Sequence, residues 1–180
     1  MVFVGFGFLM VFLKTHCWTS VGFNFFLCAW ALQFGILTTH FWNSIFTNKW
    51  QKIEINVNSL VQGDFCAGAC AITLGAILGK ADLFQCFVLI TLECIFYGLN
   101  EAIGTRVLKA TDLGGSMYIH AFGCYFGIAA SYFFNPKRAI IDKEKRGVGG
   151  YTSQLIAMVG ALFLFCYWPS WNSARVNSLF

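Results

Sequence analysis

Long apolar runs separated by short polar connectors form the dominant pattern of this chain. A run of about 20 apolar residues is the length that a helix needs to cross the hydrocarbon core of a bilayer. The pattern therefore predicts a polytopic, all-α membrane protein in which residues 1–180 form one domain. The predicted segments are a clipped opening helix at 1–13 and five full spans at 21–46, 59–79, 83–108, 113–134 and 154–171.

The composition supports a membrane protein and argues against several other classes. The chain is 58% hydrophobic and 11% charged, whereas about a quarter of the residues of an ordinary soluble domain are charged. A net charge of +4 without a basic stripe interleaved with aromatic residues argues against nucleic-acid binding. No nucleophile, base and orienting acid occur at a usable spacing, which argues against an enzyme, and no motif calls for a cofactor.

The distribution of basic residues predicts how the chain is oriented in the membrane. Lys and Arg are slightly more frequent in the connectors on one side, and the dense cluster at 137–146 dominates this difference. Because basic connectors favour the cytoplasmic side, we expect this cluster to be cytoplasmic. Phe65, Asp112 and Trp171 then lie near the outer ends of their helices. The opening run lacks a basic leader and a small-residue cleavage site, which favours a clipped helix over a signal sequence.

Two glycine patterns predict close contacts between helices. Gly75-x-x-x-Gly79 and Gly123-x-x-x-Gly127 place small residues one turn apart, where they allow neighbouring backbones to approach. We expect both patterns to serve packing rather than ligand binding.

A pair of cysteines and a buried glutamate are two further features of the apolar segments. Cys66 and Cys70 are one helical turn apart, but no second pair or nearby histidine completes a tetrahedral metal site, so the sequence predicts no metal. Glu93 lies deep in the segment 83–108, where a buried acid should be paired or protonated. Helix-packing hydrogen bonds and a proton relay are the two interpretations of Glu93.

His120 is the candidate functional residue that the pattern itself singles out. A titratable imidazole inside the apolar segment 113–134 is costly to keep there, so it is a functional-site hypothesis. Asp112 precedes it by about two helical turns, or roughly 12 Å along a helix axis. A carboxylate at the mouth and an imidazole farther in suit the passage of a small, polar, cationic solute. The alternatives are that Asp112 only caps the helix and that His120 only packs.

Seven sequence blocks identify a family, and the longest of them surrounds His120. They are MVFVGFGFLM at 1–10, SVGFNF at 20–25, GDFC at 63–66, LGAILGK at 74–80, NE at 100–101, DLGGSMYIHAFGCYFG at 112–127 and ALFLFCYWPSWNSA at 161–174. In this order the blocks resemble the Rh glycoproteins of the ammonium transporter superfamily. Erythroid blood-group members of that family lack the channel histidine, so His120 places the chain nearer the ammonium-handling members.

The resemblance implies a fold larger than this chain. Family proteins are homotrimers in which each subunit has eleven or twelve helices, arranged as an inverted repeat around its own pore. Residues 1–180 resemble the second to about the seventh helix, which is about the first half of that bundle. An incomplete gene model, a splice product or a degenerate gene would each account for the shorter length. The family pore uses two facing histidines, and neither His16 nor His40 lies in a matching motif.

The resemblance also assigns roles to individual residues at the outer end of the pore. Glu101 matches an acid of the outer vestibule, where it would attract cations; a solvated helix end is the alternative. Phe65 and Trp171 match an aromatic gate that is usually two phenylalanines; an interfacial aromatic belt is the alternative for Trp171. A second vestibule acid expected in the sixth segment aligns with Gln154.

Asp112 and His120 complete the site that the resemblance implies. In the family the carboxylate matching Asp112 is buried beneath the gate, and the imidazole matching His120 lines the pore. The implied function is a transporter or channel for ammonium and ammonia in the plasma membrane, with carbon dioxide as a second candidate gas. The alternative is a truncated, non-transporting Rh-like subunit that assembles with full-length relatives or modulates them. The implied partners are the lipid bilayer and either two further copies of the chain or Rh relatives.

Overall fold

The computed structural model describes residues 2–12, 17–134 and 149–174, and all regular structure in these ranges is helical. The predicted all-α membrane architecture is therefore confirmed. The helices are α1 (Val2–Leu9, extended by a 3-10 turn at Met10–Phe12), α2 (Cys17–Thr47), α3 (Val57–Ile77), α4 (Leu83–Ala102, extended by a π-helical turn at Ile103–Val107), α5 (Phe122–Phe133, preceded by a π-helical turn at Ser116–Ala121) and α6 (Tyr151–Ser173).

Within the described residues, four helices are long and apolar enough to cross a membrane. They are Trp18–Thr47, Val57–Ile77, Leu83–Val107 and Tyr151–Ser173. The opening apolar helix, Val2–Phe12, is shorter than these four. The segment predicted at 113–134 is helical but is not among the four, because polar residues such as His120 reduce its apolar character. The division into five full spans stays a prediction.

Polar side chains set the starts of α3 and α4. Asn56 accepts the backbone N–H of Ser59 at 2.9 Å, and Ser59 Oγ accepts the backbone N–H of Asn56 at 2.8 Å. Asp82 and Gln85 make the same reciprocal pair at 2.8 and 3.0 Å. Each pair satisfies donors that the first turn of a helix leaves unpaired. The two helices therefore begin where the sequence supplies a capping box.

The helices pack in two connected layers. α2 lies along both α3 and α4, α3 lies along α5, and α1 lies along α6. A Cβ added at Gly123 would lie 2.8 Å from the Ala69 carbonyl oxygen, and one at Gly127 would lie 3.0 Å from Ala76 Cβ. The predicted packing role of Gly123-x-x-x-Gly127 is therefore confirmed, because both glycines bring α5 against α3.

The other glycine pattern does not pack against a helix. A Cβ added at Gly75 would meet nothing within 4 Å among the described residues. Gly79 has φ 72° and forms the turn that follows α3, where its left-handed backbone is easily adopted only by glycine. The prediction that Gly75-x-x-x-Gly79 mediates helix packing is wrong within this chain, because one glycine faces outward and the other makes a turn.

The helix ends gather at two opposite ends of the bundle. The backbone N–H of Gly149 donates to the Phe12 carbonyl oxygen at 2.7 Å, so α6 begins where α1 and its 3-10 turn end. At the opposite end, the end of α4 and the residues before α5 line one cavity with the end of α6. The basic cluster at 137–146 lies outside the described residues, as does His16. The orientation relative to the cytoplasm therefore stays a prediction.

Candidate functional site

A cavity of about 520 Å³ opens at the end of the bundle where α4 finishes and α5 begins. Its polar lining includes two acidic and two basic side chains, so neither sign of charge dominates it. We call it the outer cavity, and its lining residues are Asn43, Asn58, Val61, Gln62, Glu101, Thr105, Arg106, Lys109, Ala110, Thr111, Asp112, Leu113, Tyr118 and Ala174. Two of the five residues predicted for the site, Glu101 and Asp112, therefore share one cavity.

Glu101 lies in the wall of the outer cavity rather than at a solvated helix end. It is only 2% exposed, and Gln62 Nε2 donates to its Oε1 at 3.4 Å. The alternative of a solvated helix end is therefore wrong. Arg106, one turn later on the exposed side, donates from Nε to Asn43 Oδ1 at 2.9 Å. The Arg106 guanidinium is thus bound by Asn43, while the Glu101 carboxyl group is bound by Gln62 in the cavity wall.

Asp112 caps the helical segment that carries His120. Its Oδ1 accepts the backbone N–H of Ser116 at 2.9 Å, and its Oδ2 accepts those of Met117 and Tyr118 at 2.8 and 3.0 Å. Gly115, at φ 77°, reverses the chain so that these three donors converge on one carboxylate. The capping that the sequence offered for Asp112 is confirmed, and its position in the outer cavity gives the same carboxylate a face toward a solute.

A π-helical turn sets the direction of His120. The backbone N–H groups of Ile119 and His120 both donate to the Gly115 carbonyl oxygen at 2.9 Å. Such wide turns are common at functional sites because they re-aim a side chain. His120 is half-buried, and among the described residues its buried Nε2 has no hydrogen-bond partner. One imidazole nitrogen therefore lacks a partner within the part of the chain that the structure describes.

Phe65 and Trp171 are brought into direct ring contact. Their centroids are 4.7 Å apart with an interplanar angle of 32°. Phe65 is 1% exposed and Trp171 is 9% exposed. A Cβ added at Gly68 would lie 3.1 Å from the edge of the Trp171 ring, so the missing side chain makes room for the indole. The interfacial-belt alternative for Trp171 is wrong, because the ring is packed inside the bundle.

Trp168 is a site residue that the sequence reasoning missed. Its ring centroid lies 5.3 Å from that of His120, with an interplanar angle of 39°. Trp168 and Trp171 are three residues apart on α6, a spacing that places both on one helix face. This three-residue spacing from Trp171 is the sequence signal that could have identified Trp168. The order inward from the outer cavity is therefore the Phe65–Trp171 pair and then the Trp168–His120 pair.

The structure places Gln154 far from the outer cavity. Gln154 Nε2 donates to the Gly149 carbonyl oxygen at 3.2 Å, in the first turn of α6. Ala174, which lines the outer cavity, follows at the other end of the same helix, about 30 Å away. The assignment of Gln154 to the outer vestibule is therefore wrong, because α6 enters the bundle at the opposite end.

The remaining histidine does not join the site. Among the described residues, His40 has its Nε2 at 3.0 Å from the Gln51 carbonyl oxygen, within the connector after α2. It therefore supplies no second pore histidine.

Three cysteines come together inside the bundle, one more than the sequence pattern indicated. The thiol sulfurs of Cys66, Cys70 and Cys94 lie within 4.8 Å of one another, and those of Cys70 and Cys94 are 3.8 Å apart. The third thiol comes from α4, so no spacing along α3 could reveal it. All three residues are buried, and Cys94 lies within hydrogen-bond distance of the Ala31 carbonyl oxygen. Neutral thiols satisfy this environment, whereas three thiolates would bring unpaired charge into an apolar interior.

Comparison with known proteins gives a consistent result over nearly the whole chain. Residues 1–179 match the Ammonium Transporter Family. Ammonium transporter Rh type B of Pongo pygmaeus is 45% identical over 178 residues, which are 98% of this chain and 36% of that protein. Ammonium transporter Rh type B of Homo sapiens is 44% identical over 176 residues, which are 97% of this chain and 37% of that protein. The chain thus spans little more than a third of the length of these relatives.

A solved structure has the same fold. It is Nitrosomonas europaea Rh50, reported with the mechanism of conduction by the Rhesus protein family of channels. The TM-score is 0.78 at 26% sequence identity, and the match covers 97% of this chain and 45% of that chain.

Proposed function

Because this chain belongs to the ammonium transporter family, we propose that it takes part in moving ammonium and ammonia across the plasma membrane as an Rh-type transporter or channel. The observation that carries the proposal is the series of groups on one line into the bundle. The outer cavity, with Glu101 and Asp112 in its lining, comes first, then the buried Phe65–Trp171 pair, and then the half-buried His120. We refer to the Phe65–Trp171 pair as the gate.

The chemistry of the solute explains this order. Removing ammonium from water is very expensive, whereas neutral ammonia crosses an apolar region cheaply. Glu101 and Asp112 offer carboxyl groups to a cation at the mouth, beside the basic side chains of Arg106 and Lys109. The faces of the gate rings then replace part of the hydration shell, with about 0.5–2 kcal/mol of cation–π attraction. These groups let the cation reach the gate without opening the bundle to bulk water.

His120 suits the neutral form of the solute beyond the gate. A neutral imidazole offers one donor and one acceptor nitrogen, so it can exchange hydrogen bonds with ammonia without becoming charged. Its buried Nε2 is the atom that we assign to this contact. The same apolar route suits carbon dioxide as a second gas. By the family resemblance, the second imidazole, which faces His120, comes from the other half of the bundle. The assembly that we propose is a homotrimer or a hetero-oligomer with Rh relatives.

A second candidate function is a non-transporting subunit that assembles with full-length Rh relatives and modulates them. The outward face of α6 favours it, because several large apolar side chains there are exposed in the described structure. They are Tyr151, Leu155, Met158, Leu162 and Phe165. Lipid or a partner helix of a relative would cover such a face.

Uptake measurements separate the two functions. The chain is expressed alone, and together with a full-length Rh relative, in cells that lack their own ammonium transport. Uptake of radiolabelled methylammonium by the chain alone supports the transporter. No uptake alone, combined with a changed rate for the relative, supports the modulating subunit. Background uptake alone and an unchanged rate for the relative would contradict both.

A further inference from the structure

Glu93 occupies a place that the transport pathway described above does not use. It is 0% exposed on α4, and its Oε1 lies 2.6 Å from Thr73 Oγ1 on α3. The same hydroxyl oxygen lies 3.0 Å from the Gly123 carbonyl oxygen on α5, and Thr73 is also 0% exposed. One carboxyl group, one hydroxyl group and one backbone carbonyl therefore connect three helices.

Counting protons determines the state of this group. A threonine hydroxyl has one proton to donate, a backbone carbonyl only accepts, and an ionised carboxylate only accepts. With Glu93 ionised, the single hydroxyl proton would have to serve two acceptors. With Glu93 protonated, its hydroxyl donates to Thr73 Oγ1, and Thr73 donates to the Gly123 carbonyl oxygen. Each of the two hydroxyl protons then has its own acceptor, while Glu93 Oε2 has no hydrogen-bond partner among the described residues.

The surroundings of Glu93 also favour the neutral form. Its titratable neighbours are the thiols of Cys66, Cys70 and Cys94, of which the Cys70 thiol hydrogen-bonds to the carboxyl group. Within the part of the chain that the structure describes, no Lys, Arg or His forms an ion pair with it. A carboxylate inside a membrane bundle without a cationic partner is expensive, so it keeps its proton instead.

We propose that Glu93 is a neutral carboxylic acid that positions the helix carrying His120. Gly123 follows His120 by three residues, and it lies where α5 approaches α3 most closely, with its added Cβ only 2.8 Å from the Ala69 carbonyl oxygen. The wide turn just before it, Ser116–Ala121, is where the backbone hydrogen-bond register changes. The hydrogen bond from Thr73 to the Gly123 carbonyl oxygen fixes the position of α5 along α3 beyond that turn. Glu93 acts on His120 only through Thr73.

A positioning role and a proton-relay role make opposite predictions for Glu93→Gln. Glutamine keeps the shape and donates an amide N–H to Thr73 Oγ1, but it cannot exchange a proton. The thermal unfolding midpoint of the purified chain in detergent should therefore shift by less than about 2 °C with Glu93→Gln. Glu93→Leu and Thr73→Val, which remove a donor, should lower the midpoint by about 3–8 °C. Thr47→Val is the matched control, because the Thr47 hydroxyl donates only to Asn43 of its own helix.

Infrared spectroscopy tests the protonation state without any transport. In the difference spectrum of the wild-type chain against Glu93→Gln at neutral pH, we expect loss of the C=O stretching band of a protonated carboxylic acid. Loss of carboxylate bands instead would overturn the proposal, as would a Glu93→Gln midpoint as low as that of Glu93→Leu.

Uptake gives the third readout, and it alone rests on the proposed function. Glu93→Gln should retain methylammonium uptake, whereas Glu93→Leu and Thr73→Val should lower maximal uptake without changing KM. Loss of uptake in Glu93→Gln at an unchanged midpoint would show a proton carrier and overturn the positioning role. Absence of uptake in the wild-type chain would count against the proposed function, while the spectrum and midpoints would still decide the state and packing role of Glu93.

Discussion

The rings of Phe65 and Trp171 contact each other across α3 and α6, with their centroids 4.7 Å apart. Two aromatic rings at this distance leave no passage between them, because carbon atoms in van der Waals contact are already about 3.5–4.0 Å apart. A solute that passes this point must therefore move at least one ring. Of the two rings, Trp171 is the one whose far edge lies over Gly68, where the missing side chain makes room for it. The space above Gly68 therefore determines the resting position of the Trp171 ring.

Filling that space should impair the gate. In Gly68→Ala the new Cβ would lie 3.1 and 3.2 Å from two atoms of the Trp171 ring, so the indole must shift by a few tenths of an ångström. We expect uptake of methylammonium to fall roughly three- to ten-fold at equal surface expression. Gly75→Ala is the control on the same helix, because its Cβ would meet nothing within 4 Å. Equal uptake in both variants would separate Gly68 from the gate.

Reducing the size of Trp171 should change selectivity. Trp171→Phe restores the usual pair of the family and should relax the constriction, and Trp171→Ala should open it further. The uptake rate of the larger methylammonium should rise relative to that of ammonium in that order, because each substitution widens the constriction further. The measurement is the ratio of the two uptake rates, taken in the wild type and both variants. The same ratio in all three would remove Trp171 from the gate.

Removing the cap at Asp112 should affect both the fold and transport. Asp112→Ala leaves three backbone N–H groups without their acceptor at the start of the segment that holds His120. We expect a loss of about 1–2 kcal/mol in stability, seen as a lower thermal midpoint, together with reduced uptake. Asp82→Ala is the matched control, since it removes a capping carboxylate from α4 away from the site. If Asp82→Ala reduces uptake as much, Asp112 acts only through stability.

The orientation of the gate can be checked by surface labelling. A tag inserted beside Gly149 lies at the end of the bundle where α1 and its 3-10 turn finish, which the basic residues predict to be cytoplasmic. It should stay hidden from antibody on intact cells and become labelled after permeabilisation. A tag beside Gln51, in the connector after α2, serves as the opposite control. Labelling of the Gly149 tag on intact cells would place the gate on the cytoplasmic side.

The sequence predicts the helices well because their limits depend on local features. The length of the apolar runs predicts the helices. The starts of α3 and α4 are marked by Asn56 and Asp82, whose side chains accept a backbone N–H group of the first helical turn. The resemblance suggests a candidate site for a similar reason, since the block 112–127 contains the cap, the wide turn and the histidine in one stretch.

The errors all concern contacts between helices. Gln154 was assigned to the vestibule although α6 enters from the other end, and Cys94 joins two thiols of a different helix. Trp168 was missed because its partner, His120, lies on α5. Gly75 shows the same limit, since its spacing suits packing but nothing among the described residues lies within 4 Å of its added Cβ. Local spacing gives the face of a helix, whereas tertiary packing decides what that face meets.

The most direct test of the account replaces His120. His120→Ala removes the half-buried imidazole behind the gate, and His40→Ala is the control, because His40 contacts only a connector carbonyl outside the site. Methylammonium uptake is measured for both variants at matched surface expression. The chain is expressed alone if the wild-type chain supports uptake by itself, and with a full-length Rh relative if it changes the uptake of that relative. The account predicts strongly altered uptake kinetics for His120→Ala and wild-type kinetics for His40→Ala. Unchanged kinetics in His120→Ala would contradict a histidine-lined pathway and leave His120 as a packing residue.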